Sequence, residues 1–225
     1  MKNYSAFDIL GPIMIGPSSS HTAGAARLGK IASIIAGKGI TSVKFILHGS
    51  FAKTYKGHGT DRALTAGILG MDPWDERLKG SMTIAKEQGL HIEFACDDLG
   101  DVHPNTVKFI ITKKSGRIVE IIGSSVGGGN ILIFEVDGQA VEFTGKCPTI
   151  IISHKDIPGM ISKVSTILYN ENINIAVMKV YRNSRGLKAA MLFETDTIVP
   201  GDVISRIKCL ADIYNIREIS PIPQS

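Results

Sequence analysis

The hydrophobic period changes twice along this chain, and that limits the folds open to it more than any other feature. From Thr22 to Ala36, Ala25, Leu28, Ile31 and Ile35 recur every three or four residues, the spacing of one helix face. From Asn105 the apolar residues alternate instead. NTVKFIITK and RIVEIIGSS flank Lys114-Ser115-Gly116 as a hairpin, and ILIFEVDGQAVEF folds back at Asp137-Gly138, a type I′ turn signal. Thr144-Gly145-Lys146-Cys147-Pro148 reads as a linker, and beyond it the two periods interleave. TIIISH (149–154) is a strand, and Pro158 to Asn170 a helix with Ile161, Val164, Ile167 and Leu168 on one face. Ile173 to Arg182 and Leu187 to Glu194 are strands around the turn Asn183-Ser184-Arg185-Gly186. Gly201 to Tyr214 is a helix burying Val203, Ile204, Ile207, Leu210 and Ile213, and Ile216 to Ile219 is a last strand. That order is βαββαβ, the ferredoxin-like motif. The expectation is an α/β (α+β) chain of two domains, 1–147 and 148–225.

The first domain is mixed before residue 105. Gly11-Pro12 and Gly16-Pro17 mark loops. Thr41 to His48 is a strand, Gly49 to Gly57 a short turn or helix, and Gly57 to Asp61 a loop. Arg62 to Leu69 and Asp75 to Gln88 are helices, the second with an acidic first turn that suits the helix dipole. His91 to Cys96 is a strand.

Charge and cysteine narrow the function. Residues 1–147 hold 16 basic and 14 acidic side chains and residues 148–225 hold 9 and 7, leaving +2 on each part. No basic arm points to nucleic acid. Cys96, Cys147 and Cys209 form no CxxC pair, and three is an odd number for a disulfide framework. The N-terminal residues lack the apolar core of a signal peptide, and no stretch approaches the ~18–20 apolar residues of a membrane span. A protein of the reducing cytoplasm is expected.

Gly16-Pro17-Ser18-Ser19-Ser20-His21-Thr22-Ala23-Gly24 is the most unusual stretch. It delivers four hydroxyls and an imidazole to a helix N-terminus, where free backbone N–H groups favour an anion. A carboxylate can dock there beside a histidine able to move a proton. The plainer alternative is that the serines cap the helix and His21 lies at the surface. Gly24-Ala25-Ala26-Arg27-Leu28-Gly29-Lys30 fits G-x-x-x-x-G-K, but Ile31 stands where a P-loop needs Ser or Thr, and the stretch lies inside a helix. Gly57-His58-Gly59-Thr60-Asp61 and Asp101-Val102-His103-Pro104-Asn105-Thr106 supply two more histidines. A mononuclear metal site from His21, His58, His103 and Asp61 is conceivable over that span. His48 and His91 sit near strand ends and read as structural.

The C-terminal module resembles the ACT domain, a small-molecule sensor. The likeness rests on the β-α order, on Ser153-His154-Lys155-Asp156-Ile157-Pro158-Gly159 at the first strand–helix turn, and on Asn172-Ile173-Asn174-Ile175. In ACT domains that hold serine between two chains, a His, an Asn two residues later and an Asn on the second strand bind it. His154, Asp156 and Asn174 fall on those positions, Asp replacing the middle Asn, with Gly159 beside them. Read locally, Asp156 before Pro158 is equally an N-cap, and an ACT domain can serve dimerisation alone.

GPSSSHTAGAARLG, HGSFAKTYKGHGTDRAL, MDPW and DVHPNT together resemble the β chain of the iron–sulfur L-serine dehydratases over most of residues 3–147. The resemblance implies an N-terminal domain like the allosteric-substrate-binding domain of phosphoglycerate dehydrogenase. It implies a lyase of amino-acid metabolism and gluconeogenesis that turns L-serine into pyruvate and ammonia. It also implies a [4Fe-4S] cluster whose non-cysteine iron acts as Lewis acid on the substrate hydroxyl, with the cluster cysteines on a partner α chain and no metal ligands in this chain. A monovalent cation is a further expected cofactor, and homodimerisation through the ACT domain a further expected assembly. By position, Ser18, Ser19, Ser20 and Thr22 would line the serine site, Ser20 and Thr22 holding the substrate carboxylate, with His21 as acid/base or orienting group. His103 and Asn105 would face the cluster, His103 and His58 are the further catalytic candidates, and Thr60 and Asp61 would support them. The competing expectation is a serine-sensing regulatory module without catalysis.

Overall fold

The computed structural model describes residues 12–182 and 185–223. Gly11 and the Asn183-Ser184 half of the expected turn lie outside them. The chain divides into two compact units at the Asp137-Gly138 turn, the second being Gln139–Pro221. Both turn residues take positive φ, 51° and 72°, as a type I′ turn requires.

In the first unit a π-helical turn, Ser19–Gly24, runs straight into helix α1, Ala25–Ala36. Ala25, Leu28, Ile31, Ala32 and Ile35 are buried along one face, as the apolar stripe requires. Helical winding therefore begins three residues before Thr22, inside the serine run. β1 (Ile40–Leu47) is followed by helix α2 (Gly49–Thr54) and helix α3 (Thr60–Ile68). Thr60 and Asp61 belong to the first turn of α3 and not to a loop, because Gly59 at φ 69° already turns the chain. The expected helix 75–88 is instead a 3-10 turn, Glu76–Gly80, capped by Asp75, then helix α4, Ser81–Glu87. β2 (His91–Cys96) lies parallel to β1, and β3 (Thr106–Lys113), β4 (Ile118–Gly127) and β5 (Asn130–Val136) continue antiparallel. Among the strands of this unit the spatial order is β2-β1-β3-β4-β5.

Helices α1 and α3 cross at glycines. A Cβ on Gly29 would strike the Leu64 carbonyl, and one on Gly67 would strike the Ala26 carbonyl and the Gly29 backbone. Two bare backbones thus touch, and this fixes the two helices that carry the GPSSSHT and GHGTD motifs.

The second unit starts with β6, Gln139–Phe143, nine residues before the expected boundary. It continues with β7 (Thr149–Lys155), α5 (Met160–Asn170), β8 (Ile175–Arg182), β9 (Lys188–Thr195), α6 (Gly201–Lys208) and β10 (Ile213–Ile219). The antiparallel sheet order is β10-β7-β9-β8, as βαββαβ demands. Met160, Val164 and Leu168 fill the core from α5, whereas Ile161 is exposed. Helix α6 stops at Lys208, so Ile213, expected on the helix, opens a strand, and Cys209 is exposed. Among the described residues no helix is long and apolar enough to cross a membrane.

Candidate functional site

The π-helical turn is seated on β4. Thr22, Ala23 and Gly24 are buried, and a Cβ on Gly24 would collide with Ser125 Oγ. Widened turns of this kind recur at functional sites because they re-aim side chains within a helix. Ser18 caps the turn: its Oγ accepts the His21 backbone N–H at 3.2 Å. Ser19 and Ser20 are half-buried within the turn.

His21 sits at the centre of a small polar cluster. Its Nε2 lies 3.2 Å from Ser50 Oγ and its Nδ1 3.4 Å from Ser18 Oγ. Its ring meets Phe51 at 5.2 Å and His58 at 4.9 Å, both edge to face. Burial first, and then the charge of His58, push His21 below the usual histidine range. A neutral imidazole offers one donor and one acceptor, and flanking hydroxyls can serve either.

His58 is placed by the end of α2, where its N–H donates to Thr54 O at 3.0 Å. It faces an open cleft of about 240 Å³ whose walls include Thr22, Lys56, His58, Gly59, Arg62 and Lys79. Thr22 Oγ1 is buried in that wall without a hydrogen-bond partner. The structure therefore brings the GPSSSHT and GHGTD motifs onto one cleft, with His58 on its wall and His21 against the His58 ring.

The HPN segment joins from the backbone. Pro104 O accepts the Ser50 N–H at 2.8 Å, which ties the start of α2 and hence Ser50 to this segment. His103 Nδ1 accepts the Asn105 N–H at 3.1 Å, and Asn105 Oδ1 is buried without a partner. The His103 ring is exposed and touches neither His21 nor His58 among the described contacts. Asp61 turns back on the Arg62 N–H at 2.8 Å, and Thr60 Oγ1 is buried without a partner. The mononuclear metal set is thus not assembled: among the described residues no three His, Cys, Asp or Glu side chains group to hold an ion. The same holds for an iron–sulfur cluster: Cys96, Cys147 and Cys209 are free thiols, and none belongs to such a group among the described residues. His48 is structural, as expected, its Nδ1 accepting the Leu99 N–H at 3.1 Å. Ser50, Lys56, Arg62 and Lys79 escaped sequence reasoning. The position of Ser50, Lys56 and Arg62 inside HGSFAKTYKGHGTDRAL signals those three, and nothing signals Lys79.

In the second unit, His154 is buried with Nε2 unpartnered and Nδ1 2.7 Å from Lys155 O. Asp156 does not cap α5. Its carboxylate accepts the Gly186 N–H at 2.8 Å and pairs with Arg182 at 3.0 Å, while Gly159 at φ 88° stands at the N-cap. Those partners, the Gly186 N–H foremost and Arg182 and His154 after it, hold Asp156 below the usual carboxylate range. Asn174 Nδ2 donates to Asp196 at 2.7 Å. Asp156 and Asn174 thus have internal partners, and His154 keeps one ring nitrogen free of any.

Comparison with known proteins identifies the family. The family model described as "Serine dehydratase beta chain" matches residues 5–87, and that of the ACT domain matches residues 148–211. A probable L-serine dehydratase beta chain of Bacillus subtilis is 42% identical over 220 residues, 98% of this chain and 100% of that protein. An L-serine dehydratase beta chain of Peptoniphilus asaccharolyticus is 47% identical over 184 residues, 81% of this chain and 83% of that one. A D-3-phosphoglycerate dehydrogenase of Methanocaldococcus jannaschii is 30% identical over 205 residues, 88% of this chain but 37% of that protein. With these likenesses running over almost its whole length, the chain belongs to the L-serine dehydratase beta-chain family.

Proposed function

We propose that this chain forms one wall of an active site that converts L-serine to pyruvate and ammonia. The joint placement of Thr22 and His58 on one cleft, with His21 seated against the His58 ring, carries the reading. His58 is the proton-moving group: it faces the cleft and is free to accept the substrate α-proton. His21 orients it, held on two sides by Ser18 and Ser50. Loss of water from serine then leaves aminoacrylate, which tautomerises and is hydrolysed to pyruvate and ammonia. Ser18, Ser19 and Ser20 support the turn that holds Thr22 in the wall, and Asn105 Oδ1 offers an acceptor beside them. The [4Fe-4S] cluster that the family implies belongs on a partner α chain, a reading supported by the absence, among the described residues, of any group of three or more side chains able to hold a metal. Any monovalent cation belongs to the assembled αβ complex. The ACT unit serves pairing of two copies, with the free His154 nitrogen open to an amino-acid ligand.

The test is to express this chain alone and with its α chain, load iron and sulfide without oxygen, and assay pyruvate from L-serine. Turnover is expected only with both chains, and His58→Asn should form the same complex with kcat about 10³-fold lower. Pyruvate from this chain alone, unimpaired turnover by His58→Asn, or serine binding with no turnover in the mixture would each overturn the reading.

A further inference from the structure

The cleft beside His58 is cationic on every polar side. Lys56, Arg62 and Lys79 line it, and no acidic residue does. Among the described residues none of the three forms an ion pair, although Lys56 lies 5.8 Å from the Tyr55 ring. Asp61, the nearest acid in sequence, is occupied by the Arg62 backbone N–H and is not part of the wall. Three cations gathered without counter-charge raise the local concentration of anions.

A second observation points the same way and is independent of charge. Thr22 is 2% exposed, and its Oγ1 has no hydrogen-bond partner although it belongs to the cleft wall. A buried hydroxyl left unpaired is costly, so a ligand that accepts from it recovers that loss. Gly16 packs directly against this hydroxyl. It has φ 150°, and a Cβ there would lie 2.5 Å from Thr22 Oγ1. An oxygen acceptor entering the cleft is the partner that the hydroxyl lacks within the chain. At about 240 Å³ the cleft suits a small molecule and falls below the ~300–1,000 Å³ of drug-sized sites.

We propose that Arg62, Lys56 and Thr22 Oγ1 form the carboxylate subsite of the substrate, and that Lys79 at the same cleft draws the anion in. This rests on the reading of the cleft as a serine-deaminating site and adds the group that makes it choose an α-amino acid. Arg62 presents a planar fork matched to two carboxylate oxygens, and Lys56 a point charge. The Thr22 hydroxyl donates to one of the same oxygens. His58, on the same wall, is then left to face Cα. The chemistry selected is a small monocarboxylate carrying its reactive carbon next to the carboxyl.

The experiment uses the reconstituted αβ complex, with L-serine and with L-serinamide, which keeps the α-proton and hydroxyl but lacks the carboxylate. Arg62→Gln and Lys56→Gln are compared with wild type, and Arg62→Lys serves as partial rescue. Both Gln variants replace exposed side chains, so folding is expected to survive. The expected result is a rise of about tenfold or more in KM for L-serine, with kcat within about twofold. Discrimination against L-serinamide should shrink by a similar factor, and Arg62→Lys should recover part of it. An unchanged KM in both Gln variants overturns the subsite, and so does a fall in kcat alone. An inactive wild-type complex overturns the underlying reading instead, so the two failures are distinguishable. If added inorganic phosphate activates the complex through Arg62 without competing with L-serine, the cleft is an effector site and the proposal fails.

Discussion

His21 and His58 meet ring to ring at 4.9 Å. His21 is held below its ordinary value by burial and then by His58. A base with a lowered folded-state value is protonated first in the unfolded chain as pH falls. The stability it contributes is whole above about pH 6.5 and declines on acidification from there toward the lowered value. Urea midpoints between pH 7.5 and 5 should therefore fall with pH, and His21→Gln should flatten that slope. A slope identical in the variant would show that His21 does not titrate differently on folding. At this scale the sequence exposed what is chemically conspicuous. His21, His58 and Thr22 stand in unusual strings of hydroxyls, glycines and imidazoles. Ser50 does not: its part is a contact to a residue 29 positions earlier, which no local pattern encodes.

At the scale of elements the decisive feature is the α1–α3 crossing. Ala is a better helix former than Gly by ~1 kcal/mol, so propensity alone favours Gly67→Ala. The added methyl would press on the Ala26 carbonyl and the Gly29 backbone, neither of which can rotate away. Overpacking of a filled interior costs ~1–3 kcal/mol and more where backbone must move. The expected net loss is about 2 kcal/mol by urea unfolding, with weakened turnover because the two motif-bearing helices separate. A neutral or stabilised variant would mean the crossing is loose. The apolar stripes of α1 and α5 were readable because a single face is buried. The true end of α6 was hidden for a physical reason. Leu210 and Ile213 pack on the same core as the helix, so the stripe runs on after the backbone has turned into β10 at Asp212, φ 69°. Likewise the serine run imitates a loop in composition, while burial of Ala23 and Gly24 winds it into the helix.

For the molecule as a whole, the packing groups residues from Gln139 with the second unit, nine residues before the boundary expected from the sequence. Pro148 and Gly145 advertise a linker, yet β6 before them belongs to the second unit. Its Gln139, Val141 and Phe143 face is buried, Gln139 accepts from Ser153 at 2.8 Å, and Glu142 pairs with Lys179 at 2.7 Å. Burial of Val141 and Phe143 alone is worth ~3 kcal/mol or more. A fragment 139–221 should thus resist urea better than 148–221 by about that amount, and equal midpoints would restore the later boundary. The seam at Asp137-Gly138 also has a meaning for descent. Every residue of the candidate cleft precedes it, and the whole ACT unit follows it. A break at this one turn leaves every cleft residue on one side, so a lineage can inherit the cleft with or without the ACT unit that follows it.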